Sequence, residues 1–484
     1  MSARLSEATL AQAKAEVVRP AYDRAATRIG WLHFGPGAFH RAHQAFYADR
    51  MLAADPGLAI SAVSLRSDDL RQALGPQDGL YSLLEREAEP RLRVIGSIQE
   101  TATAPRDPAA VFARLTDPGL RVISATVTEK GYCLTVADDL DEAHPDVLHD
   151  LAGPPCPRTL TGWLVEGLRR RMAAGLPAPA VLSCDNLAGN GGKLRRAVRQ
   201  FAEARGEADL ARWIAGEVRF PDSMVDSITP ATDEALRADV ARRLGLSDAW
   251  PVQREGFTQW VVEDRLGAEA PAFAEAGVIL TGDVAAFERA KLRLLNGAHS
   301  TLAYVGLRLG HATVAQAMAD RKLAAFVEAL MRADIAASLG PAAGLEVDGY
   351  IGDILARFRN PAIAHRLSQI AWDGSQKLPI RLLRTIGEAR AAGRPVARLA
   401  VGVAAWMLFV RDQAMAGVPI VDPLAETLAD LGRACDGDPT GDTRRFLALT
   451  SVFPRDLAGD GEFGAALARA YGRLSGGAPR EALA

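Results

Sequence analysis

Apolar runs that favour strands alternate with helix-patterned segments from residue 29 onward. The strand candidates are short, rich in apolar residues and bounded by turn formers, and they cover residues 31–34, 60–65, 122–127 and 180–183. Such alternation is typical of βαβ units around a largely parallel sheet. Two further segments, residues 81–86 and 92–98, alternate apolar and polar positions, which predicts an antiparallel hairpin inserted into the parallel core.

After Val284 the pattern changes to long segments of Ala, Leu and Arg with helical spacing, interrupted by prolines. We therefore expect two domains, an α/β domain over residues 1–285 and a mostly α-helical domain over residues 286–484. The longest apolar run, residues 399–410, is too short to span a bilayer and predicts a core helix. The first 19 residues lack the apolar stretch of a secretory signal, so no export is expected.

The composition argues against several classes of function. With 56 basic and 59 acidic residues the net charge is −3, and no basic run occurs that would follow a phosphate backbone, so we expect no nucleic-acid partner. The four cysteines are scattered without C-x-x-C spacing, which argues against a disulfide framework and a structural zinc site. We expect a cytoplasmic protein without a membrane partner. The oligomeric state is left open, and a monomer is compatible with the sequence.

A glycine-rich turn follows the first predicted strand. Gly35 and Gly37 supply the first two positions of G-x-G-x-x-G, whereas the third is His40. Glycines at this place let the backbone turn tightly and approach a pyrophosphate at a helix N-terminus. The turn thus indicates a Rossmann-type dinucleotide-binding domain, with an ordinary glycine turn as the alternative.

The end of the second predicted strand indicates which dinucleotide is bound. Asp68 and Asp69 follow that strand, and an acid at this place accepts hydrogen bonds from the adenosine ribose and repels a 2′-phosphate. NAD is therefore favoured over NADP. Arg66 instead favours NADP, because its side chain could pair with a 2′-phosphate. For Arg66, Asp68 and Asp69 alike, the alternative is that they are solvated surface charges.

Three polar side chains interrupt an apolar helix-forming segment, residues 290–300. At about 100° per residue, Lys291 and His299 lie roughly 80° apart and Asn296 about 60° beyond His299, so all three can face one cavity. A lysine held against apolar surface has its pKa lowered and becomes a possible general base. The segment therefore predicts a site of proton abstraction.

Other chemistry is less well supported. Polar clusters at residues 128–133 and 183–191 follow predicted strands, where ligands of parallel sheets bind, although the second cluster could equally be a helix cap. His40 and His43 share a helix face, but no third ligand completes a zinc site, and no G-x-S-x-G is present. A metal-independent hydride-transfer enzyme with a lysine base remains, with a non-catalytic nucleotide sensor as the alternative.

Six motifs in order resemble the mannitol dehydrogenase family of long-chain polyol dehydrogenases. They are G-x-G-x-F-H-R-A-H-Q at residues 35–44, T-E-K-G-Y-C at 128–133, S-C-D-N at 183–186, F-P-x-x-M-V-D-x-I-T-P at 220–230, Q-W-V-x-E-D at 259–264 and K-x-x-x-L-N-G-x-H at 291–299. The resemblance implies a Rossmann-type domain and a helical domain, with NAD(H) and substrate in the cleft between them and no metal.

The resemblance also implies the roles of single residues. Lys291 would be the general base, Asn186 and Asn296 would hold the oxyanion, His299 would orient the substrate, and Glu129 would control proton exit. The implied cofactor contacts are Gly35, Gly37, Phe39, Arg41, Arg66, Asp68, Asp69, Thr128 and Glu129. The implied substrate contacts are Asp226 and Lys377. Arg366 and Gln369 are further candidates for the substrate end of the site, although the family's contact at Gln369 is not carried over.

Substrate choice depends on residues 360–379. Polyol-oxidising members of the family carry an arginine where this chain has Gln369, whereas this segment and Lys130 look more like the fructuronate reductase branch. That branch interconverts D-mannonate and D-fructuronate, and Arg366 or Lys377 could bind the carboxylate. The departures from its pattern are Leu367, Ser368, Trp372 and Ile380. Mannitol 2-dehydrogenase or another polyol dehydrogenase, such as one acting on arabinitol, is the alternative.

Overall fold

The computed structural model describes residues 3–363 and 365–483. By its internal contacts the chain forms two compact units, Met1–Ala285 and Ala286–Ala484. All strands among the described residues lie in the N-terminal unit. They are β1 (Ile29–Phe34), β2 (Ala59–Ser64), β3 (Tyr81–Arg86), β4 (Arg91–Ile95), β5 (Ile98–Thr103), β6 (Val122–Ala125), β7 (Ala180–Ser183), β8 (Ser223–Asp226), β9 (Val252–Glu255), β10 (Gln259–Glu263) and β11 (Ile279–Thr281).

Within the described residues, five strands form a wholly parallel sheet in the order β5-β2-β1-β6-β7. Both faces of this sheet are covered: Trp31 of β1 belongs to one apolar cluster, and Leu32 and Phe34 belong to another. Burial on two sides explains the nearly continuous apolar runs. The strands predicted at residues 31–34, 60–65, 122–127 and 180–183 are confirmed, with ends displaced by two residues or fewer.

The prediction for residues 92–98 was wrong at its end. The hairpin of β3 and β4 is antiparallel as predicted, but β4 ends at Ile95 and Ile98 begins β5, the edge strand of the parallel sheet. Polar residues fill the middle of β5, so it lacks the apolar run by which its neighbours were found. The hairpin pairs with β9, and β8, β10 and β11 form a further small sheet.

The helices of the N-terminal unit cover both faces of the parallel sheet. They are α1 (Ala38–Ala42), α2 (Gln44–Met51), α3 (Asp69–Leu74), α4 (Pro108–Leu115), α5 (Pro145–Leu151), α6 (Leu160–Ala173), α7 (Asn190–Ala204), α8 (Ala208–Glu217), α9 (Glu234–Leu244) and α10 (Ala270–Glu275). The single helix expected after the glycine turn is interrupted at His43, whose φ of −122° and ψ of −86° separate α1 from α2.

The C-terminal unit is helical, as predicted. From α11 (Val284–Ala290), which contains the unit boundary, its helices are α12 (Ala298–Arg308), α13 (Val314–Ala319), α14 (Arg321–Ala329), α15 (Val347–Arg359), α16 (Leu367–Ile370), α17 (Gly374–Leu378), α18 (Arg384–Ala391), α19 (Ala397–Met415), α20 (Ala425–Arg433), α21 (Pro439–Leu447), α22 (Arg455–Ala458) and α23 (Gly461–Ser475). The apolar run at residues 399–410 lies in α19, a core helix. No helix among the described residues has the length and apolar character needed to cross a bilayer.

Three segments of this unit are π-helical. They are Lys291–Gly297, Leu330–Ile335 and Pro379–Leu383. The assumption of a regular α-helix over residues 290–300 was therefore wrong, because i→i+5 hydrogen bonding winds the chain more widely than 3.6 residues per turn. Short π-helical stretches are frequent at functional sites, and the first of these contains both Lys291 and Asn296.

Candidate active site

A cavity of about 600 Å³ opens in the N-terminal unit where β1, β2 and β6 end. Its wall includes residues 35–37, 64–67, 127–128 and 158–160. The strand order reverses at this edge, because β2 and β5 lie on one side of β1 and β6 and β7 on the other. Such switch points are where open parallel sheets bind their ligands.

The glycine turn meets the steric demands of a dinucleotide. Gly35 has a φ of +83°, and a Cβ there would lie 2.2 Å from the Thr126 carbonyl oxygen. A Cβ on Gly37, in contrast, would meet no atom closer than 3.9 Å, and Gly37 lies on the cavity wall. Gly35 thus permits the tight turn, and the open space at Gly37 lets a pyrophosphate approach the backbone at the start of α1.

A chain of hydrogen bonds that begins in β1 supports the glycine turn. Thr126 Oγ1 donates to the Gly35 carbonyl at 2.7 Å and lies 3.0 Å from His33 Nε2. Trp31 Nε1 donates to Ser124 Oγ at 2.7 Å, and that hydroxyl lies 2.7 Å from His33 Nδ1. Because both hydroxyls have one proton each, His33 must donate from Nε2 and accept at Nδ1. Sequence reasoning missed this chain, since its members lie on two different strands.

Of the two acids that follow β2, Asp68 is hydrogen-bonded to other side chains and Asp69 is exposed to solvent. Asp68 accepts from Arg71 Nε at 2.9 Å and from Thr103 Oγ1 at 2.6 Å. These donors, Arg71 first, lower the pKa of Asp68. Asp69 is exposed in the first turn of α3, and the exposed Arg66 lies on the cavity wall. The carboxylate of Asp68 is therefore engaged by protein groups, and the preference for NAD over NADP remains a prediction.

The half-buried carboxylate of Asp185 holds the loop after β6 in place. Asp185 accepts from the backbone amides of Val127 and Thr128 at 2.9 and 3.0 Å and from the Tyr132 hydroxyl at 2.7 Å. Burial raises the pKa of Asp185 in spite of these donors. Thr128 has a φ of +66°, a strained value for a threonine. Asp185, which belongs to the S-C-D-N motif, therefore fixes this wall of the cavity.

The other predicted residues of the N-terminal unit lie in varied surroundings. Arg41 is fully buried and donates to the Trp250 carbonyl at 2.5 Å, a position that does not support a cofactor contact. Phe39 stacks on His43, with ring centroids 5.0 Å apart. Glu129 is exposed in a short helical turn, and Asn186 is exposed after β7. Asp226 is buried at the end of β8.

In the C-terminal unit, Lys291 and Asn296 lie half-buried in the first π-helical segment. That segment packs tightly against the third one, since a Cβ on Gly297 would lie 2.8 Å from the Arg381 carbonyl oxygen. The same Cβ would lie 3.7 Å from Ile335, in the second π-helical segment. Gly297 thus lets all three segments meet beside the predicted base.

His299 lies among aromatic and basic side chains of the C-terminal unit. Its ring stacks on Phe358 at 5.3 Å and meets His365 edge-on at 4.8 Å. Burial, together with the basic neighbours His365, Arg381, Arg357 and Lys377, holds the pKa of His299 well below its usual range. Its Nε2 has no hydrogen-bond partner among the described residues. His299 is therefore a neutral ring with one buried nitrogen that no described group hydrogen-bonds.

The predicted substrate contacts divide into two groups. Arg366 and Gln369 are exposed around the short helix α16. Lys377 Nζ donates to the Trp372 carbonyl at 2.6 Å and lies 3.8 Å from an Asp373 carboxylate oxygen, and burial lowers its pKa. One residue was missed: Arg381, four positions after Lys377, donates from Nη1 to Ser300 Oγ at 3.0 Å. The i, i+4 spacing of the two cations was the signal for it.

Two family models match the chain, Mannitol dehydrogenase Rossmann domain over residues 29–275 and Mannitol dehydrogenase C-terminal domain over residues 283–475. Both agree with the predicted resemblance, and the predicted fold class is confirmed. No group of three or more His, Cys, Asp or Glu among the described residues is arranged to hold a metal ion.

Relatives with two different substrates are similar to this chain. A mannitol 2-dehydrogenase of Aspergillus fumigatus is 38% identical over 458 residues, which cover 92% of this chain and 90% of the relative. The D-mannonate oxidoreductase of Escherichia coli is 36% identical over 485 residues, which cover 98% and 99%. A solved Pseudomonas fluorescens mannitol 2-dehydrogenase, in ternary complex with NAD and D-mannitol, has a TM-score of 0.80 at 38% identity and covers 99% of this chain and 98% of its own. Its NAD agrees with the predicted cofactor.

Proposed function

Since the chain belongs to the mannitol dehydrogenase family, we propose that it is an NAD-dependent oxidoreductase that interconverts D-mannonate and D-fructuronate. The broader class is that of oxidoreductases acting on a secondary alcohol of a polyol or sugar acid. The choice of a sugar acid rests on one observation, the basic surroundings of His299. Burial lowers its pKa most, and the neighbouring His365, Arg381, Arg357 and Lys377 lower it further.

The cofactor is proposed to bind in the cavity of the N-terminal unit. Gly35 and Gly37 would receive the pyrophosphate, and Ser67 and Arg66 line the part of the wall that follows β2. When bound, NAD accepts the hydride that leaves the carbinol carbon.

The proton is handled by the chain itself. Lys291 is proposed to take the hydroxyl proton during oxidation and to return it during ketone reduction. Asn186 and Asn296 would donate amide N–H groups to the oxygen on which negative charge develops, a contribution of about 3–4 kcal/mol per donor in other enzymes. Neutral His299 would bind a neighbouring hydroxyl through Nε2. Its neutrality matters because an uncharged imidazole can either donate to or accept from a sugar hydroxyl.

Sequence identity does not choose the substrate, because relatives named for mannitol and for mannonate are 38% and 36% identical to this chain. The positive charge near His299 favours the sugar acid as the substrate. A neutral polyol gives Arg381, one of the cations near His299, no counter-charge, whereas a carboxylate supplies one.

Steady-state reduction tests this proposal. D-Fructuronate and D-fructose differ at C6, where a carboxylate replaces a hydroxymethyl group, so the pair isolates the contribution of that charge. We expect kcat/KM for NADH-dependent reduction to be clearly higher with D-fructuronate. A clear preference for D-fructose would reject the sugar-acid assignment.

The second candidate is a mannitol 2-dehydrogenase or another polyol dehydrogenase, such as one acting on arabinitol. It is favoured by the 38% identity over nearly the whole chain to an enzyme solved with D-mannitol. It predicts reduction of NAD at alkaline pH by at least one C5 or C6 polyol. If none of these polyols reduces NAD, this candidate is rejected.

A further inference from the structure

We infer that Arg381 is the residue that binds the substrate carboxylate, an assignment that rests on the proposed sugar-acid function. Arg381 lies in the third π-helical segment, and its Nη1 donates to Ser300 Oγ at 3.0 Å. Ser300 directly follows His299 at the start of α12. The guanidinium is thereby held beside the residue proposed to orient the substrate.

The charge of Arg381 is poorly compensated. Burial lowers the pKa of this half-buried side chain, and the described part of the chain places no Asp or Glu oxygen within ion-pairing distance of it. Two other arginines with little exposure have such partners, since Arg254 is paired with Glu85 at 2.5 Å and Arg293 with Glu388 at 2.5 Å. The fully buried Arg41 and Arg171 donate to backbone carbonyls instead. Burying a cation without a counter-charge costs free energy. A ligand carboxylate would supply that charge and accept two parallel N–H bonds from the planar guanidinium.

The two cations proposed from sequence are placed less favourably. Lys377 Nζ already donates to the Trp372 carbonyl and lies near Asp373. Arg366 is exposed beside α16, where water competes for a carboxylate. Arg381 combines partial burial with a fixed backbone, since its carbonyl oxygen is the atom that a Cβ on Gly297 would meet at 2.8 Å.

Arg381 also contributes, after burial and His365, to the lowered pKa of His299. Arg381 is the strongest of the fully charged groups that lower the pKa of that histidine. A carboxylate bound to the guanidinium would oppose this effect, so the two residues would respond to an acidic substrate together.

The test compares Arg381→Gln, Arg381→Lys and the wild type with D-fructuronate and with D-fructose. For Arg381→Gln we expect kcat/KM for D-fructuronate to fall about 10- to 100-fold, mainly through KM, as expected for one lost charge-assisted hydrogen bond. The kcat/KM for D-fructose should fall much less, because D-fructose has no carboxylate for Arg381 to bind. Arg381→Lys should recover part of the D-fructuronate activity because it keeps the charge and loses the bidentate geometry.

Arg384→Gln is the matched control, since Arg384 is a nearby exposed arginine paired with Glu388; we expect it to match the wild type with both substrates. If the wild type prefers D-fructose, the proposed function fails and the carboxylate assignment with it. If the wild type prefers D-fructuronate but Arg381→Gln weakens both ketoses equally, the function stands and the assignment of Arg381 is wrong. NADH binding, followed by fluorescence, reports whether the variants are folded, and Arg381→Lys decides the assignment should Arg381→Gln be unfolded.

Discussion

Each unit of the chain contains a pair of histidines, and the two pairs differ in what surrounds them. His33 and His40 in the N-terminal unit are fully buried and stacked, with ring centroids 3.4 Å apart and planes at 11°. His299 and His365 in the C-terminal unit are half-buried and meet edge-on at 4.8 Å and 62°. Burial lowers the pKa of all four rings.

The difference lies in the hydrogen bonds. Both nitrogens of His33 are used by hydroxyls of the same unit, so this ring is part of the sheet's internal structure. Nε2 of His299 and Nδ1 of His365 have no hydrogen-bond partner in the described range. His40, whose ring nitrogens also have none, is shielded by its stacking on His33. Low pKa alone therefore does not mark a site, and what distinguishes His299 is the group of three cations near it, Arg381, Arg357 and Lys377.

The largest effect is expected at Lys291, which begins the π-helical segment that precedes His299 in the chain. Lys291→Ala should lower kcat by about 10²–10⁴-fold, the usual contribution of a general acid or base. NADH binding should be preserved, because the proposed cofactor contacts lie in the other unit. The measurement is steady-state NADH oxidation together with a fluorescence titration of NADH. Lys322→Ala, at an exposed lysine of α14, is the control, and an unchanged kcat in Lys291→Ala would remove the general-base role.

The second effect separates the chemistry of the C-terminal pair from its packing. His299→Phe keeps a ring against Phe358 and removes both nitrogens, so kcat/KM should fall about 10- to 100-fold through the lost hydrogen bond to substrate. The melting temperature should change little. His311→Phe, at another half-buried histidine of the same unit, should leave kcat/KM unchanged. A loss of melting temperature without a loss of activity would mean that His299 is a packing residue.

The third effect concerns the N-terminal pair and is one of stability. The pKa of His33 is lowered from 6.5 to about 3, so below pH 6.5 the unfolded chain takes up a proton that the folded chain refuses. Stability therefore falls as the pH falls from 6.5 toward 3. His33→Asn should reduce this slope by about 1.4 kcal/mol per pH unit, the value for one proton. Urea unfolding between pH 4 and 7 measures it. An unchanged slope in His33→Asn would mean that His33 is charged in the fold.

The sequence predicted the parallel sheet and the glycine turn because apolar runs and glycines carry local signals. It missed β5, whose polar middle gives no such signal, and it assigned regular helix to Lys291–Gly297 because a π-helix has no residue pattern of its own. Among the site residues, Arg381 and Asp185 were given no role, although Arg381 follows Lys377 at i+4 and Asp185 belongs to the S-C-D-N motif. Their contacts, with the Ser300 hydroxyl in one case and with backbone amides in the other, join residues far apart in sequence.

The smallest effect tests whether the N-terminal chain of hydrogen bonds also serves the cofactor. Thr126→Val removes the donor to the Gly35 carbonyl and should weaken NADH binding about fivefold, the effect of about 1 kcal/mol from one neutral hydrogen bond. Thr126→Ser keeps the hydroxyl and should restore binding. Thr116→Val breaks the same kind of bond, to the Phe112 carbonyl, away from the glycine turn, and should not affect NADH. Equal affinities in Thr126→Val and Thr126→Ser would limit the chain to a role in stability, because the orientation of the Gly35 carbonyl would then not influence the cofactor.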